Sequence, residues 1–266
     1  LEKQTLSTLL TGEYDNKNAI LTFHAGAGGT EAQDWNSMLV RMYTRWGEAH
    51  GFTVSVIDFL KGDNAGFKNA VLRFEGENAY GYLKSEAGVH RLVRISPFDA
   101  SGRRHTSFAS LDVMPEISDD INIEINPADL RVDTYRASGA GGQHINKTES
   151  AVRLTHLPTG IVIECDGERS QLQNKEKAMK VLRARLYEVA EAERLAGIAE
   201  DRKSQVGTGD RSERIRTYNF PQGRVSDHRI GLTLYKIEAI MNGDIDELVD
   251  ALVTADTAQK LQAAEG

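Results

Sequence analysis

Cysteine is the scarcest chemistry in this 266-residue sequence: Cys165 stands alone, which excludes an internal disulfide and any multi-cysteine metal site. It falls in the alternation Ile161, Ile163, Cys165, where a small buried hydrophobe is expected and a reactive thiol is not. The sequence contains no apolar run of about 18 residues. No charged-then-apolar leader opens it, so neither a membrane span nor a signal peptide is expected. These absences together fit the cytoplasm. Leu1 in place of Met suggests a fragment or a processed chain. The seven histidines show no His-x-x-x-His spacing, so no metal site and no cofactor is expected.

Excess positive charge is missing too. With 32 Lys+Arg against 39 Asp+Glu, the net charge of −7 argues against a protein that coats nucleic acid nonspecifically. RNA contacts would need local patches, and three clusters qualify: Arg91 with Arg94, then Arg103, Arg104 and His105, then Arg211, Arg214 and Arg216. Each taken singly reads as a solvated polar face. Ser226-Asp227-His228 carries the letters of a hydrolase triad, but adjacent side chains cannot easily form its relay, so turn and packing roles are expected. No self-contained active site is legible, and no internal repeat stands out.

What is present is organised around Ser138 to Thr148, Ser-Gly-Ala-Gly-Gly-Gln-His-Ile-Asn-Lys-Thr. Gly139, Gly141 and Gly142 free the backbone and deliver it to one neutral amide, Gln143. Strand-like runs at 130–136 and 150–156 flank the loop, so a scaffold presents its tip. Gln143 is neither a base nor a useful nucleophile. Its amide and backbone N–H can orient a water and donate to developing negative charge, inside a site that another molecule supplies.

The rest reads as a multidomain α+β chain. Residues 1–12 look like the end of a helix begun upstream. A strand at 18–24 leads through Gly26-Ala-Gly-Gly into a helix that a Thr30/Gln33 capping box opens, with Trp35, Met38, Leu39, Met42, Tyr43 and Trp46 as its buried face. The glycines resemble a phosphate loop, but Glu31 occupies the closing position. An acidic side chain there repels phosphate and favours a neutral or hydrogen-bond-donating ligand such as a base edge.

Strands are expected at 53–59, 67–74, 89–95, 108–114 and 121–125, with a short helix near 78–85. Between two of these strands, Ser96 to Thr106 reads as a shaped loop holding hydroxyls, a ring, two guanidinium groups and an imidazole, the inventory of single-stranded RNA recognition. Asn126-Pro127 marks a boundary. Beyond it lie strands at 130–136, 150–156 and 160–166. A helix then runs from a Ser170/Gln173 cap to about Leu195, with Leu172, Met179, Leu182, Leu186 and Val189 inward. Residues 202–209 read as a linker, 214–220 and 230–235 as strands, and the remainder as helix.

The strings at 138–148 and 96–98 resemble the bacterial class I peptide chain release factors, and the similarity spans nearly the whole chain. Ser96-Pro97-Phe98 matches the tripeptide of the branch that reads UGA and UAA, where its sister branch carries Pro-x-Thr. The resemblance implies that Gly141, Gly142 and Gln143 promote hydrolysis of the peptidyl-tRNA ester in the ribosomal peptidyl transferase centre, with no activity apart from the ribosome. It implies that Ser96 reads the second codon base, His105 stacks between the second and third, Thr106 contacts the third, and Gly28 with Glu31 meets the first uridine. Pro97 and Phe98 complete the codon site, and Arg103, Arg104 and Lys147 are RNA-contact candidates.

Implied partners are the ribosome through rRNA of both subunits, the mRNA stop codon, the P-site peptidyl-tRNA, a class II release factor GTPase, and a methyltransferase that modifies Gln143; no membrane is implied. The expected domains are 1–12 (remnant of a helical domain), 13–126 (stop-codon recognition), 127–210 (hydrolysis) and 211–266 (packing back on the decoding domain). The competing reading is a codon-independent ribosome-rescue hydrolase, which would lack the Ser96 to Thr106 module; a third is an RNA-binding module without hydrolytic function.

Overall fold

The structure, a computed structural model, describes residues 7–117, 122–136, 150–206 and 214–265. The fold is multidomain α+β, in two units: residues 1–118 with 199–266, and residues 119–198. These limits differ from the boundaries at 126/127 and 210/211 read from the sequence. Among the described residues no helix is long and apolar enough to cross a membrane.

The first unit is built on an eight-stranded sheet of order β11-β10-β9-β4-β5-β1-β3-β2. Its strands are β1 (Ala19–Ala25), β2 (Thr53–Lys61), β3 (Phe67–Glu75), β4 (Gly88–Ile95), β5 (Arg104–Pro115), β9 (Arg214–Asn219), β10 (Arg224–Asp227) and β11 (Leu232–Leu234). Period-two alternation sets the buried face: Leu21 lies opposite Leu72 and Val113, and Phe23 opposite Ala70 and Leu111. Helix α1 (Thr30–Ala49) covers that face with Trp35, Leu39, Met42, Tyr43 and Trp46, all essentially inaccessible to solvent. Each such side chain contributes about 1.5–3 kcal/mol on burial. The aromatic stripe is therefore core, as its continuous spacing predicts.

The buried indoles need partners for their N–H groups, and both have them: Trp35 Nε1 donates to the His90 carbonyl at 3.1 Å, and Trp46 Nε1 to Asp246 at 3.0 Å. Short α2 (Ala79–Leu83), α4 (Ile237–Met241) and the longer α5 (Asp246–Glu265) complete the unit.

All pairings in this sheet are antiparallel except β4 with β9, which run parallel. Behind that junction sits a buried polar network. Arg216 donates through Nη1 and Nη2 to Glu86 at 2.5 and 2.9 Å, and through Nε and Nη2 to Asp227 at 3.2 and 3.0 Å. Tyr43 donates to Glu86 at 2.5 Å. The side chains of Arg216, Glu86 and Asp227 are fully buried. Burial alone would raise the Glu86 carboxyl, yet the Arg216 guanidinium holds it below its ordinary range. Burial and the Glu86 charge push the Tyr43 hydroxyl well up.

In the second unit β6 (Leu130–Tyr135), β7 (Ala151–His156) and β8 (Ile161–Cys165) form a three-stranded antiparallel sheet. Val152 and Leu154 pack with Ala178 of α3 (Gln171–Val206), flanked by Ile163, Cys165 and Met179. Cys165 is half-buried against this small core rather than enclosed.

Several sequence expectations are corrected. Residues 122–126 form no strand; Ile123 and Ile125 alternate inward because the segment lies along Lys180, Arg183, Ala184 and Tyr187 of α3. That helix continues through 202–206, in place of the expected linker. Leu172 and Val189 are exposed, and the buried stripe runs through Ala178, Leu182 and Leu186 instead. Ser226 and Asp227 belong to a strand, β10, not a turn. No side-chain cap opens α1: Gly29 is its N-cap, and Gln33 instead accepts a hydrogen bond from the Asp63 amide at 3.2 Å.

Two outcomes are expected. Arg216→Met strands the Glu86 and Asp227 carboxylates in the interior and lowers unfolding free energy by about 3–5 kcal/mol in denaturant titrations; pairing it with Glu86→Gln recovers part of the loss. Burial, then the Arg216 charge, lowers the His90 pKa to about 4, so the fold holds this imidazole neutral. Its contribution is complete above the unfolded value of about 6.5 and fades as pH falls from there towards 4, by about 3 kcal/mol in all. Melting curves of His90→Gln should therefore be flatter in that window than those of the unmodified chain; parallel curves would contradict the assignment.

Candidate functional site

The site in the first unit grows from two chain reversals. At the end of β1, Gly26 donates its N–H to the Phe108 carbonyl at 2.8 Å, and a Cβ there would stand 2.6 Å from that oxygen. Only glycine extends the ladder so closely. Gly28 and Gly29 then take φ of 140° and 60° and turn the chain into α1. This places Glu31 in the first helical turn, where its charge complements the helix dipole.

The second reversal is the β4–β5 hairpin. Ser96 donates its N–H to the Arg103 carbonyl at 3.2 Å, and Gly102, with φ of 61°, donates to Asp99 O at 2.9 Å. The loop is shorter than the sequence suggests. Arg104, His105 and Thr106 lie on β5 itself, opposite Ile95, Arg94 and Val93.

These reversals meet at Ser96 and Glu31. The buried Ser96 hydroxyl donates to Glu31 Oε1 and accepts the Phe98 N–H at 3.0 Å. Arg94 spans the same carboxylate and its neighbour, reaching Glu31 Oε2 at 3.3 Å and Asp34 Oδ2 at 2.6 Å. Farther out, Asp99 takes hydrogen bonds from His105 Nε2 at 2.9 Å, the Ser101 N–H at 2.8 Å and Arg103 Nε at 2.8 Å. Those bonds hold the Asp99 carboxyl well below its usual range, the His105 contact contributing most.

Pro97, Phe98, Arg103, Arg104 and Thr106 are exposed, while Gly28 lies open beside Glu31. Phe98 keeps 48% of its surface exposed, so its ring is accessible for stacking. The arrangement offers a carboxylate, hydroxyls, a flat ring and an oriented imidazole along one rim. Such groups can accept base N–H groups and stack on bases. Bond-breaking chemistry has no equipment here.

The triad letters at 226–228 are dispersed. Asp227 is committed to Arg216 and Arg229, Ser226 Oγ meets Thr233 at 3.0 Å, and His228 Nε2 meets Thr217 Oγ1 at 2.7 Å. No relay connects them. Among the described residues no group of three or more His, Cys, Asp or Glu is placed to hold a metal.

Gly141, Gly142, Gln143 and Lys147 lie outside the described residues. Their stem is described: Tyr135 pairs with Ala151, so β6 and β7 stay in register to the ends that the segment joins. Beside it, buried Asn174 donates to the Ser150 and Glu168 carbonyls at 2.7 and 3.0 Å and accepts the Glu168 N–H at 3.0 Å.

Sequence reasoning does not single out Asp34, Asp99 or Asn174, and takes Arg94 only as half of a basic pair with Arg91. Asp34 lies one helical turn beyond Glu31, and Arg94 shares a strand face with Ser96. Those spacings were visible; their meeting across elements was not.

Among known families, a model described as "PCRF domain" matches residues 1–111, and one described as "RF-1 domain" matches residues 119–229. The chain is 58% identical over 249 residues to peptide chain release factor 1 of Clostridium novyi (strain NT), covering 94% of this chain and 70% of that protein. It is 59% identical over 247 residues to peptide chain release factor 1 of Acetivibrio thermocellus, covering 93% and 68%. Among solved structures it is similar to "RF2 of Thermus thermophilus", with a TM-score of 0.62, 48% identity, and coverage of 97% of this chain and 72% of that one.

Asp99→Ala should free the His105 ring and Arg103 with little effect on global stability, since the partners face solvent. Amide hydrogen exchange at Ser101 should accelerate with melting temperature nearly constant. Unchanged exchange would mean the loop holds its shape without Asp99.

Proposed function

The chain belongs to the class I peptide chain release factor family, and on that premise we propose that it ends translation at UGA and UAA codons in the ribosomal A site. Translation termination is the family's activity. The codon assignment rests on Ser96-Pro97-Phe98, the tripeptide resembling that of release factor 2, and on the contact that carries it, Ser96 Oγ to Glu31. That contact brings the helix start and the tripeptide to one rim, so one site can address successive bases. In this reading Gly28 and Glu31 take the first uridine, Ser96 the second base, His105 stacks between the second and third, and Thr106 takes the third.

Arg103, Arg104 and Lys147 would meet RNA phosphates. Arg103 is already paired to Asp99, whereas Arg104 is exposed with no acid within ion-pair distance among the described residues.

Hydrolysis is assigned to Gly141, Gly142 and Gln143, presented from the stem that Asn174 braces. Gln143 orients a water towards the ester carbonyl carbon, and its N–H groups stabilise the oxyanion as the bond to the tRNA 3′ oxygen breaks. The products are a free peptide carboxylate and a tRNA hydroxyl. The first unit thus decodes and the second hydrolyses. The ribosome, mRNA and peptidyl-tRNA are the working partners in the cytoplasm, a class II GTPase recycles the factor, and a methyltransferase modifies Gln143.

A second reading has its own observation. The relatives named above are called release factor 1, which favours UAG and UAA. Peptide release from ribosomes programmed with UGA, UAA, UAG or a sense codon decides between them. Release at UGA but not UAG is expected; the reverse supports the second reading, and release independent of codon supports a rescue hydrolase. Gly142→Ala should lower release about a hundredfold or more by displacing Gln143, with stop-codon-dependent binding retained. Ser96→Ala and Thr106→Ala should relax codon discrimination with the hydrolytic step intact.

A further inference from the structure

The basic clusters read from the sequence are rearranged in space, and one assembly has no role in the decoding rim. Arg94 is spent on Glu31 and Asp34, and Arg216 is buried behind the sheet. Their sequence neighbours Arg91 and Arg214 are on the opposite face. Register fixes this: Val89 pairs with Arg214, Arg91 with Thr217, Thr217 with Ser226, and Asn219 with Arg224. A bulge between Val89 and His90 lets Arg214 share the face of Arg91 while Arg216 turns inward. Arg91, Arg214 and Arg224 are thereby gathered on the outer face of β4, β9 and β10, with Thr217, Asn219 and Ser226 beneath them.

Three guanidinium groups on one small face ordinarily attract carboxylates, and this chain has acid in excess. Yet no carboxylate among the described residues lies within ion-pair distance of Arg91, Arg214 or Arg224. Arg224 is steadied by neutral groups only, Gln222 Oε1 and Ser226 Oγ. The Nε atoms of Arg91 and Arg214 are buried without a hydrogen-bond partner. Burial, then the charges of Arg214 and Arg224, lowers the Arg91 pKa, and burial with the same arginines lowers that of exposed His228. Asp227, three residues beyond Arg224, is turned to the other face and held by Arg216 and Arg229, and Glu213, adjacent to Arg214, lies outside the described residues. Among the described residues the face carries three guanidinium groups and no counter-charge.

We propose that the outer face of β4, β9 and β10 is a second RNA-contact surface, in which Arg91, Arg214 and Arg224 grip phosphodiester groups away from the codon rim. The chemistry favours RNA backbone over an acidic protein patch. Guanidinium forks together with hydroxyl and amide groups are the donors that phosphate and sugar contacts use. Such contacts fix position and carry no sequence, which suits a factor whose reading head is elsewhere. The proposal rests on the ribosomal reading above and deepens it by naming the surface that holds the first unit in place while Ser96 and His105 discriminate.

The test uses the full chain with Arg91 and Arg214 changed together to Gln, and a second variant with Lys at both positions. Two measurements are made: binding of a labelled uridine 20-mer off the ribosome across a potassium chloride series, and codon-dependent release on programmed ribosomes. For the Gln variant the KM for ribosomes should rise about tenfold, and the slope of log K against log salt should flatten by about 0.7 for each phosphate of the single strand that is no longer neutralised. Its kcat and codon preference should stay unchanged, and its melting temperature should hold or rise as repulsion is relieved. The Lys variant should keep most of the affinity.

Unchanged oligonucleotide affinity and salt slope overturn the proposal, including the case where ribosome affinity alone falls, since the surface then meets protein. If the unmodified chain shows no codon-dependent release while the oligonucleotide slope still flattens in the Gln variant, the termination reading fails and the RNA face stands.

Discussion

Everything in the first unit depends on one buried cation. Arg216 is clamped between Glu86 and Asp227 with no exposed surface, so its charge must be neutralised by partners that come from different parts of the chain. Glu86 precedes β4, and Asp227 ends β10. The clamp therefore specifies where β9 lies, beside β4 in parallel, a pairing that requires a long crossover. His90 and Tyr218 extend the network with a hydrogen bond at 3.0 Å, and Tyr218 meets Trp35 edge-on at 4.9 Å. The ionic and aromatic parts of the core are thus one structure, in which an error at Arg216 reaches the covering helix.

For the proposed decoding role the consequence lies in β4, whose lower half carries His90 in the network and whose upper end carries Arg94 and leads into Ser96. A hairpin tip would ordinarily be loose. Here its base is locked by buried charge and its tip is tied back to α1 through Glu31 and Asp34. Rigid support beneath a polar rim is what fine discrimination needs, because a wrong base is rejected only if unpaired groups cannot relax around it. The hydroxyl that would read a base is already satisfied by Glu31 and by the Phe98 amide. If Ser96 reads a base as proposed, binding exchanges these bonds for others of similar strength, and selectivity comes from the difference between them.

Much of this was legible in the sequence. Period-two runs located β1, β3, β5, β7 and β8, and the apolar stripe from Trp35 to Trp46 located α1 and its buried face. The motif strings named the family before any coordinates. What failed shares a cause: local spacing cannot report a partner from elsewhere. Ile123 and Ile125 alternate as a strand would, but α3 is their neighbour. Thr30 and Gln33 spell a capping box, yet Gln33 found the Asp63 amide. Arg91 and Arg94 look like one basic patch and are on opposite faces, doing opposite things. The roles of Asp99 and Arg94 required two strands and a helix to be placed first.

The parallel junction of β4 with β9 also sets an order in time. A polypeptide is made from its N-terminus, so Glu86 and His90 emerge from the translating ribosome well before Arg216, with the whole of the second unit between them. Until that later segment arrives, Glu86 has no counter-charge and β4 has an open edge, so the carboxylate must stay hydrated and the hairpin unsupported. The inserted unit can close on its own contacts first. The buried clamp behind the sheet is therefore completed last, after the inserted unit already exists, and the support beneath Ser96 and Glu31 is finished only once Arg216 and Asp227 have been made.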